Sequence, residues 1–599
     1  MNSILGRIGI FCALLLRYLK ATLGRIGMVC ALLVLVFTCF AWRLIYLQVL
    51  RHDYFTEIAE EKHSIRLTIP ARRGRILDRH GEELAVNIPV QMVYADGSHI
   101  HDPAAVAAVA APFLEMPLQE LKEKLTTKSK YVIIRKGVSE EKAQDMIRAL
   151  DKANLHGLYL QEGSVRSYPN GEMLCDVLGY VDYTGHGADG IEKTYDTELR
   201  GQEGFRWIEH DRKGREIVVY RGQEQLPENG SDIRLSIDMG LQAIAEREVD
   251  EAYKTNHPAS ATAILADPNT GEILALASRP NYDPNKFNKA KPDEMRNRAI
   301  SDIYEPGSVF KIVVTSAAYN EGIVDDETRI FCENGHFSYG GKTIKDHHGS
   351  GDLSIPEILM KSSNIGAAKI SLLMKDQMFY DYVRKFGFGT RTGIPLPGEI
   401  PGQVIPPHRW DKLTKTRVAF GQSISVTPIQ MVMAMSAIAN GGKLLKPKLV
   451  LSKGEGSAVL PDAPVAQVVK PESANYIANA LERVVSNQGT APLARIEGYR
   501  VAGKTGTAQK ISPHGGYLEG RYIVSFAGFF PVNKPKVMGI VIVDDAKLGE
   551  SANYGGSVAG PVFSTIGSKA ARYLDMDPEP DAFLVKEKQG ASRTAVSAR

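Results

Sequence analysis

The stretch Glu305-Pro306-Gly307-Ser308-Val309-Phe310-Lys311 decides how the rest of the chain is read. Pro306-Gly307 is a turn signal, and the apolar pattern that follows it (Val309, Phe310, Ile312, Val313) is that of a buried helix. Ser308 is thereby expected in the first turn of a helix, where the helix dipole favours an anion. Lys311 follows at i+3, on the same face. A free serine hydroxyl is a poor nucleophile and needs an adjacent base. A lysine amine serves as that base if burial and a second cation lower its pKa. Two further short motifs supply such a setting. Ser362-Ser363-Asn364 lies 54 residues after Ser308, and Lys504-Thr505-Gly506-Thr507 lies 142 residues beyond Ser362. The last sits on a strand pattern with Gly503 and Gly506 on either side of the Lys-Thr pair. Glycines there are expected to let a ligand backbone lie against the strand edge. Lys504 with the hydroxyls of Thr505 and Thr507 suits a carboxylate, and Lys504 is also a candidate for the second cation. The backbone N–H groups of Thr507 and Ser308 would together form an oxyanion hole.

Singly, these motifs carry little weight. Ser139 to Lys142 repeats the S-x-x-K spacing, and Ser473-Ala474-Asn475 and Ser551-Ala552-Asn553 repeat S-x-N. Ser139 reads more simply as the N-cap of a helix opened by Glu140-Glu141-Lys142. Order, spacing and local context set the first group apart.

The 599-residue chain is long enough for two or three domains. Apolar residues make up 44% and charged residues 24%, in the ordinary globular range. A net charge of +3 argues against a nucleic-acid footprint. Of five cysteines, Cys12, Cys30 and Cys39 lie in the apolar N-terminus, which leaves Cys175 and Cys332 and no disulfide scaffold. A bond between those two stays open.

Ile26 to Trp42 is an unbroken apolar run, continued after Arg43 by Leu44-Ile45-Tyr46-Leu47, which is long enough for one membrane span over 26–47. Arg7, Arg17, Lys20 and Arg25 precede it, which places residues 1–25 in the cytoplasm and the remainder outside. No small-residue cleavage site follows, so an uncleaved anchor is favoured over a signal peptide. The segment from Leu5 is nearly repeated from Leu23. The first copy's apolar run, Ile8 to Leu16, is too short to span, and an interfacial helix and a duplicated start both fit it. Arg51 to Ser64 reads as a helical stalk. From there to about residue 235 short strands, turns and amphipathic helices mix. Beyond it come hairpin signals (Ala261 to Asp267, a turn at Pro268-Asn269-Thr270-Gly271, Glu272 to Ala277), helical patterns from 308 to 440, and strand patterns at Tyr499 to Gly503, Tyr522 to Phe529 and Val537 to Val543. This order predicts an α+β fold: an antiparallel sheet with helices on both faces and a helical subdomain. Residues 575–599 lack apolar periodicity and read as a flexible tail.

The three motifs together resemble the class B penicillin-binding proteins. Arg73-Gly74-Arg75-Ile76-Leu77-Asp78-Arg79-His80-Gly81, Arg166-Ser167-Tyr168-Pro169, Gly179-Tyr180, Gly190-Ile191-Glu192-Lys193 and Tyr195-Asp196 resemble that family's pedestal. Leu235 to Asp238 with Leu241-Gln242, His348-Gly349 and Thr427-Pro428-Ile429-Gln430 resemble its transpeptidase domain. The resemblance implies a pedestal, dimerisation-like domain over 48–235 and a transpeptidase domain over 236–574. Ser363 stands at the middle of the second motif as in class B members, where β-lactamases usually carry Asp, and the resemblance departs at Ser423, where many members carry Gly.

The resemblance further implies D,D-transpeptidation of peptidoglycan, with Ser308 as nucleophile, Lys311 as base, Ser362 as proton relay and Asn364 orienting the acyl chain. Lys504, Thr505, Gly506 and Thr507 form the carboxylate and oxyanion side. No metal or organic cofactor is implied. Implied partners are donor and acceptor stem peptides, β-lactams, the inner membrane and a polytopic glycan polymerase. Septal synthesis during division is favoured over side-wall elongation. A β-lactamase or D,D-carboxypeptidase fits less well, because neither needs so long a pedestal, and a β-lactam sensor would need an output domain. A catalytically silent scaffold is expected to lack Ser308, Lys311 or Lys504. His347-His348 reads as loop rather than metal site, and the phosphate-loop likeness of Gly341-Lys342-Thr343 fails at His336.

Overall fold

The computed structural model describes residues 2–54, 64–127, 129, 132–210, 216–454, 464–512, 515–548 and 553–579. The chain divides into two compact units. One comprises Met1–Ala71 with Gln202–Glu228, the other Arg72–Gly201 with Asn229–Arg599.

In the first unit a continuous α-helix runs from Asn2 to Ile45 and ends in a π-helical turn, Tyr46–Leu50. Both copies of the N-terminal repeat lie on this one helix, so the first copy continues directly into the apolar run. Among the described residues one helix is long and apolar enough to cross a membrane. Arg43 and Arg51 both lie over the ring of Tyr46, an arrangement suited to a membrane–water interface. Ser64–Ile69, Gly204–His210 and Glu216–Gln225 form a three-stranded antiparallel sheet, with Ser64 opposite Glu209 and Ile69 opposite Gly204. Most of the expected stalk, residues 55–63, lies outside the described residues, and Ser64 is already strand.

The second unit holds two cores. The smaller packs helices Pro103–Leu114, Leu118–Leu125 and Glu140–Lys152 on Glu83–Ala95, through Val93, Val106, Leu121 and Met146. Ser139 caps Glu140–Lys152 by accepting from the Lys142 N–H, so its S-x-x-K match is a helix start. A six-stranded sheet joins Glu83–Ala95 through Ile76–Leu77 and Ile233–Leu235 to Val450–Lys453. It therefore crosses the boundary expected at residue 235.

The larger core is built on a five-stranded antiparallel sheet ordered Ile273–Arg279, Ser260–Ala266, Val537–Asp544, Tyr517–Phe530, Ala502–Ile511. Its first strand is buried at every residue, as a sheet covered on both faces requires. Helices Met239–Asn256 and Gly555–Tyr573 cover one face. Phe563 of the latter packs on Phe526 and Phe530. Pro428–Ala439, buried from Pro428 to Ile438, covers the other. The expected long helical region resolves into helices of six to twelve residues: Lys311–Asn320, Ile355–Met360, Asn364–Leu373, Asp376–Lys385, Thr414–Ala419 and Pro428–Ala439. A hairpin, His336–Tyr339 with Lys342–Lys345, interrupts them. Cys175 and Cys332 are both free and buried, so the open disulfide is not formed. The fold continues past residue 574. Met576 is buried and its carbonyl accepts from Tyr499 Oη at 2.5 Å, so the expected tail does not begin at 575. Residues 580–599 lie outside the described residues.

Candidate active site

Ser308 lies on a single 3₁₀ turn, Gly307–Phe310, that leads into the α-helix Lys311–Asn320. The tighter turn replaces the expected first α-helical turn. It leaves the Ser308 hydroxyl half-exposed while Val309, Phe310 and Lys311 are buried. Gly307 has φ 54°, and a Cβ there would stand 2.9 Å from the carbonyl oxygen of Thr507. The backbone beside the nucleophile thus lies against the backbone of Thr507, as an oxyanion hole built from the Ser308 and Thr507 N–H groups requires.

The three motifs converge. Lys311 Nζ lies 2.9 Å from Ser308 Oγ, 3.2 Å from Ser362 Oγ and 2.8 Å from Asn364 Oδ1, and donates to the Ser362 carbonyl at 2.5 Å. Lys504 Nζ lies 3.0 Å from Ser362 Oγ and 3.2 Å from Thr505 Oγ1. Ser362 Oγ is therefore shared by the two lysine Nζ atoms. Ser362 adopts φ 58°, a left-handed conformation that a non-glycine residue holds only when its surroundings fix it.

Both lysines are fully buried. Burial, then the Lys504 charge, push the Lys311 pKa well below its ordinary value, with Asp346 opposing. Burial brings the Lys504 pKa down to about 7. Lys311 is thus shifted toward the neutral amine that a base requires, and the charge on Lys504 contributes to that shift, as anticipated from the sequence.

The glycines beside Lys504 have a packing role that the sequence did not suggest. A Cβ on Gly503 would stand 2.3 Å from the Phe526 ring. One on Gly506 would stand 2.4 Å from Ser525 Oγ and 2.8 Å from the Pro306 carbonyl oxygen. Both serve packing within the protein, and Gly506 in particular lets the nucleophile turn press onto the strand. Ala502–Ile511 is still the edge strand of its sheet, as an extended ligand lying along it needs. Thr505 Oγ1 lies 3.1 Å from Thr490 Oγ1, and Thr507 Oγ1 accepts from the Gly555 N–H at 3.3 Å.

Sequence reading missed Asp346. Its Oδ1 accepts from the N–H groups of Asn364 and Ile365 at 2.6 and 3.0 Å, and Ser363 Oγ donates to its Oδ2 at 2.5 Å. Ser363 Oγ in turn accepts from the Gly366 N–H at 2.9 Å, capping the helix Asn364–Leu373. Asp346 sits 16 residues before Ser362 at the end of a hairpin, with no motif to mark it. Asn364 Nδ2 donates to the carbonyl of Lys345, which points Oδ1 at Lys311. His347 is exposed, edge-on to the Tyr554 ring at 5.7 Å. Desolvation and the Lys311 charge hold its pKa below the ordinary histidine value.

Comparison with known proteins identifies the family. Residues 68–235 match the penicillin-binding protein dimerisation domain and residues 261–567 the penicillin binding protein transpeptidase domain. The chain is 35% identical to stage V sporulation protein D of Bacillus subtilis, over 94% of this chain and 87% of that one. It is 32% identical to the peptidoglycan D,D-transpeptidase FtsI of Escherichia coli, over 91% of each. The crystal structure of penicillin-binding protein 3 of Mycobacterium tuberculosis complexed with aztreonam superposes with a TM-score of 0.67 at 27% identity, covering 86% of this chain and 98% of that one. With the dimerisation and transpeptidase models matched in order and relatives of more than 30% identity covered over nearly their whole length, the chain belongs to the class B penicillin-binding proteins.

Proposed function

We propose that this protein cross-links peptidoglycan stem peptides through a serine acyl-enzyme at Ser308. The observation that carries this reading is the 2.9 Å approach of the buried Lys311 amine to Ser308 Oγ. Neutral Lys311 takes the hydroxyl proton as Oγ bonds to the penultimate D-Ala carbonyl carbon. The oxyanion is held by the Ser308 and Thr507 N–H groups. The C–N bond to the terminal D-Ala then breaks, and Ser362, between the two lysines, passes a proton to the departing amine. Lys504, with the hydroxyls of Thr505 and Thr507, holds the terminal carboxylate. An amine of a second stem peptide attacks the ester, and the Ser308 hydroxyl is restored. A β-lactam follows the same first half, but its ring-opened amine stays tethered and the ester persists.

The process is septal wall synthesis, with the helix Asn2–Ile45 crossing the inner membrane, its N-terminus cytoplasmic and the transpeptidase domain outside, beside a polytopic glycan polymerase. A fluorescent fusion gathered at midcell fits it, and one spread along the lateral wall refutes it. For the chemistry, intact protein is incubated with a fluorescent penicillin and weighed. A stable one-to-one adduct, absent from Ser308→Ala, is expected. Rapid turnover of the drug would indicate a β-lactamase, and no adduct on the intact protein a silent scaffold.

A further inference from the structure

Glu305 is a buried carboxylate three residues before the nucleophile, and the acyl-transfer steps do not use it. Its Oε1 accepts from the Ser423 N–H at 2.8 Å, and its Oε2 accepts from Tyr517 Oη at 3.0 Å. Those partners belong to different walls around Ser308. Ser423 lies in the loop after the helix Thr414–Ala419, and Tyr517 opens the long strand Tyr517–Phe530 that pairs with the edge strand.

The loop is pinned to the nucleophile turn along its length. Tyr304 and Val426 exchange both backbone hydrogen bonds, at 2.9 and 3.1 Å, and the Gly307 N–H donates to the Gly421 carbonyl at 3.1 Å. Gly421 packs so closely that a Cβ on it would stand 2.1 Å from the Gly307 carbonyl oxygen. Within this ladder Ser423 adopts φ 58°. That left-handed conformation is unfavourable for a serine and explains why a glycine is expected there. The charge-assisted bond from the Ser423 N–H to Glu305 offsets that cost. The charges and donors facing the Glu305 carboxylate are the Ser423 N–H, the Tyr517 hydroxyl and the Arg417 guanidinium, and together they oppose the upward push of burial on its pKa.

We infer that Glu305 is a positioning residue for the reaction at Ser308: one carboxylate fixes the Gly421–Ser423 loop and the start of the strand Tyr517–Phe530 against the nucleophile turn. Lys311 Nζ bonds to Ser308, Ser362 and Asn364, so Glu305 acts on the placement of Ser308 Oγ and its oxyanion donors rather than on the proton transfer. A misplacement of about 1 Å at a nucleophile costs on the order of 100-fold in rate. The inference rests on the proposed acyl transfer.

The test separates binding from acylation with a fluorescent penicillin on the full-length, detergent-solubilised protein. Glu305→Ala is expected to lower the first-order acylation rate by about 10- to 100-fold while the apparent dissociation constant changes by less than about 3-fold. Glu305→Gln, which keeps one acceptor oxygen, is expected to recover most of the rate. Tyr517→Phe is expected to slow acylation in the wild-type background and to add nothing to Glu305→Ala, because both remove the same tether. Amide exchange at Ser423 is expected to quicken in Glu305→Ala. Wild-type acylation rates in Glu305→Ala overturn the inference and leave the acyl-enzyme reading standing. So do equal losses in the Ala and Gln variants that track a fall in melting temperature, since those would mark Glu305 as merely structural. A wild-type protein that is not acylated takes down the acyl-enzyme reading itself, and the inference with it.

Discussion

Replacing Asp346 with alanine removes three hydrogen bonds to one carboxylate: from the Asn364 N–H at 2.6 Å, the Ile365 N–H at 3.0 Å and Ser363 Oγ at 2.5 Å. Hydrogen bonds to charged groups contribute about 1.5–3 kcal/mol each when removed singly. The three share one acceptor and are not additive, so a total loss of about 3–4 kcal/mol is expected. Part of this appears as stability. Part appears as disorder of the second motif, because the same residues place Asn364 Oδ1 and the Ser362 carbonyl on Lys311 Nζ. If about 2 kcal/mol of the loss is felt at Lys311 in the transition state, acylation slows by about 30-fold. Asp346 also opposes the depression of the Lys311 pKa, so its removal makes the amine more fully neutral. The loss is thus one of geometry, and raising the pH should not restore it. The assay is stopped-flow acylation by a fluorescent penicillin at pH 7 and 9, with a melting curve for each variant. Asp346→Asn keeps one acceptor oxygen and should fall between wild type and alanine. Wild-type acylation by Asp346→Ala would refute the claim that this carboxylate holds the second motif. Full rescue at pH 9 would refute the geometric account in favour of an electrostatic one.

Two further perturbations test the lysine pair and the strand contact. Lys504, with its pKa brought down to about 7, is the group expected to limit carboxylate capture, so acylation efficiency against pH should show a basic limb near 7 that is lost in Lys504→Arg. The unfolded chain binds the Lys504 proton up to its ordinary pKa and the folded chain only up to about 7, so stability rises with pH through that interval. Lys504→Met, which keeps the bulk and removes the buried charge, should melt a few degrees higher at pH 6, flatten that slope and abolish acylation, and an unchanged melting profile would refute the buried-charge account. Gly506→Ala would bring a methyl group 2.4 Å from Ser525 Oγ and 2.8 Å from the Pro306 carbonyl oxygen. It should cost about 1–3 kcal/mol in melting experiments and acylation more than about 10-fold, and a neutral result would show that the nucleophile turn can ride off the strand without consequence.

The residues legible from sequence share one property: each announces its chemistry locally. Ser308 and Lys311 stand at helical spacing behind a Pro-Gly turn, and Lys504 is flanked by glycines on a strand pattern, so type and spacing place them before any tertiary contact is known. The hairpin Ser260–Ala266 with Ile273–Arg279 is marked by its turn and its apolar strands in the same way. Asp346 and Glu305 have no such mark. Asp346 is tied to residues 17 to 19 positions ahead, and Glu305 to residues 118 and 212 positions ahead. An isolated acid in a loop has the same local pattern whether it faces solvent or three buried N–H and O–H donors. Two further features were hidden for the same reason. Glycines beside a cleft motif suggest room for a ligand, but only the positions of Phe526, Ser525 and Pro306 show that the space is already filled from within. The boundary at residue 235 reads as a change of pattern, yet Val450–Lys453 returns to pair with Ile233–Leu235 and carries the sheet across it. Ser423 is the instructive intermediate. Its departure from glycine was visible in the sequence, and its φ of 58° shows why glycine is expected there. What tolerates the serine is a carboxylate 118 residues away. Local chemistry names the reacting groups, while the groups that hold them in place are chosen by the topology.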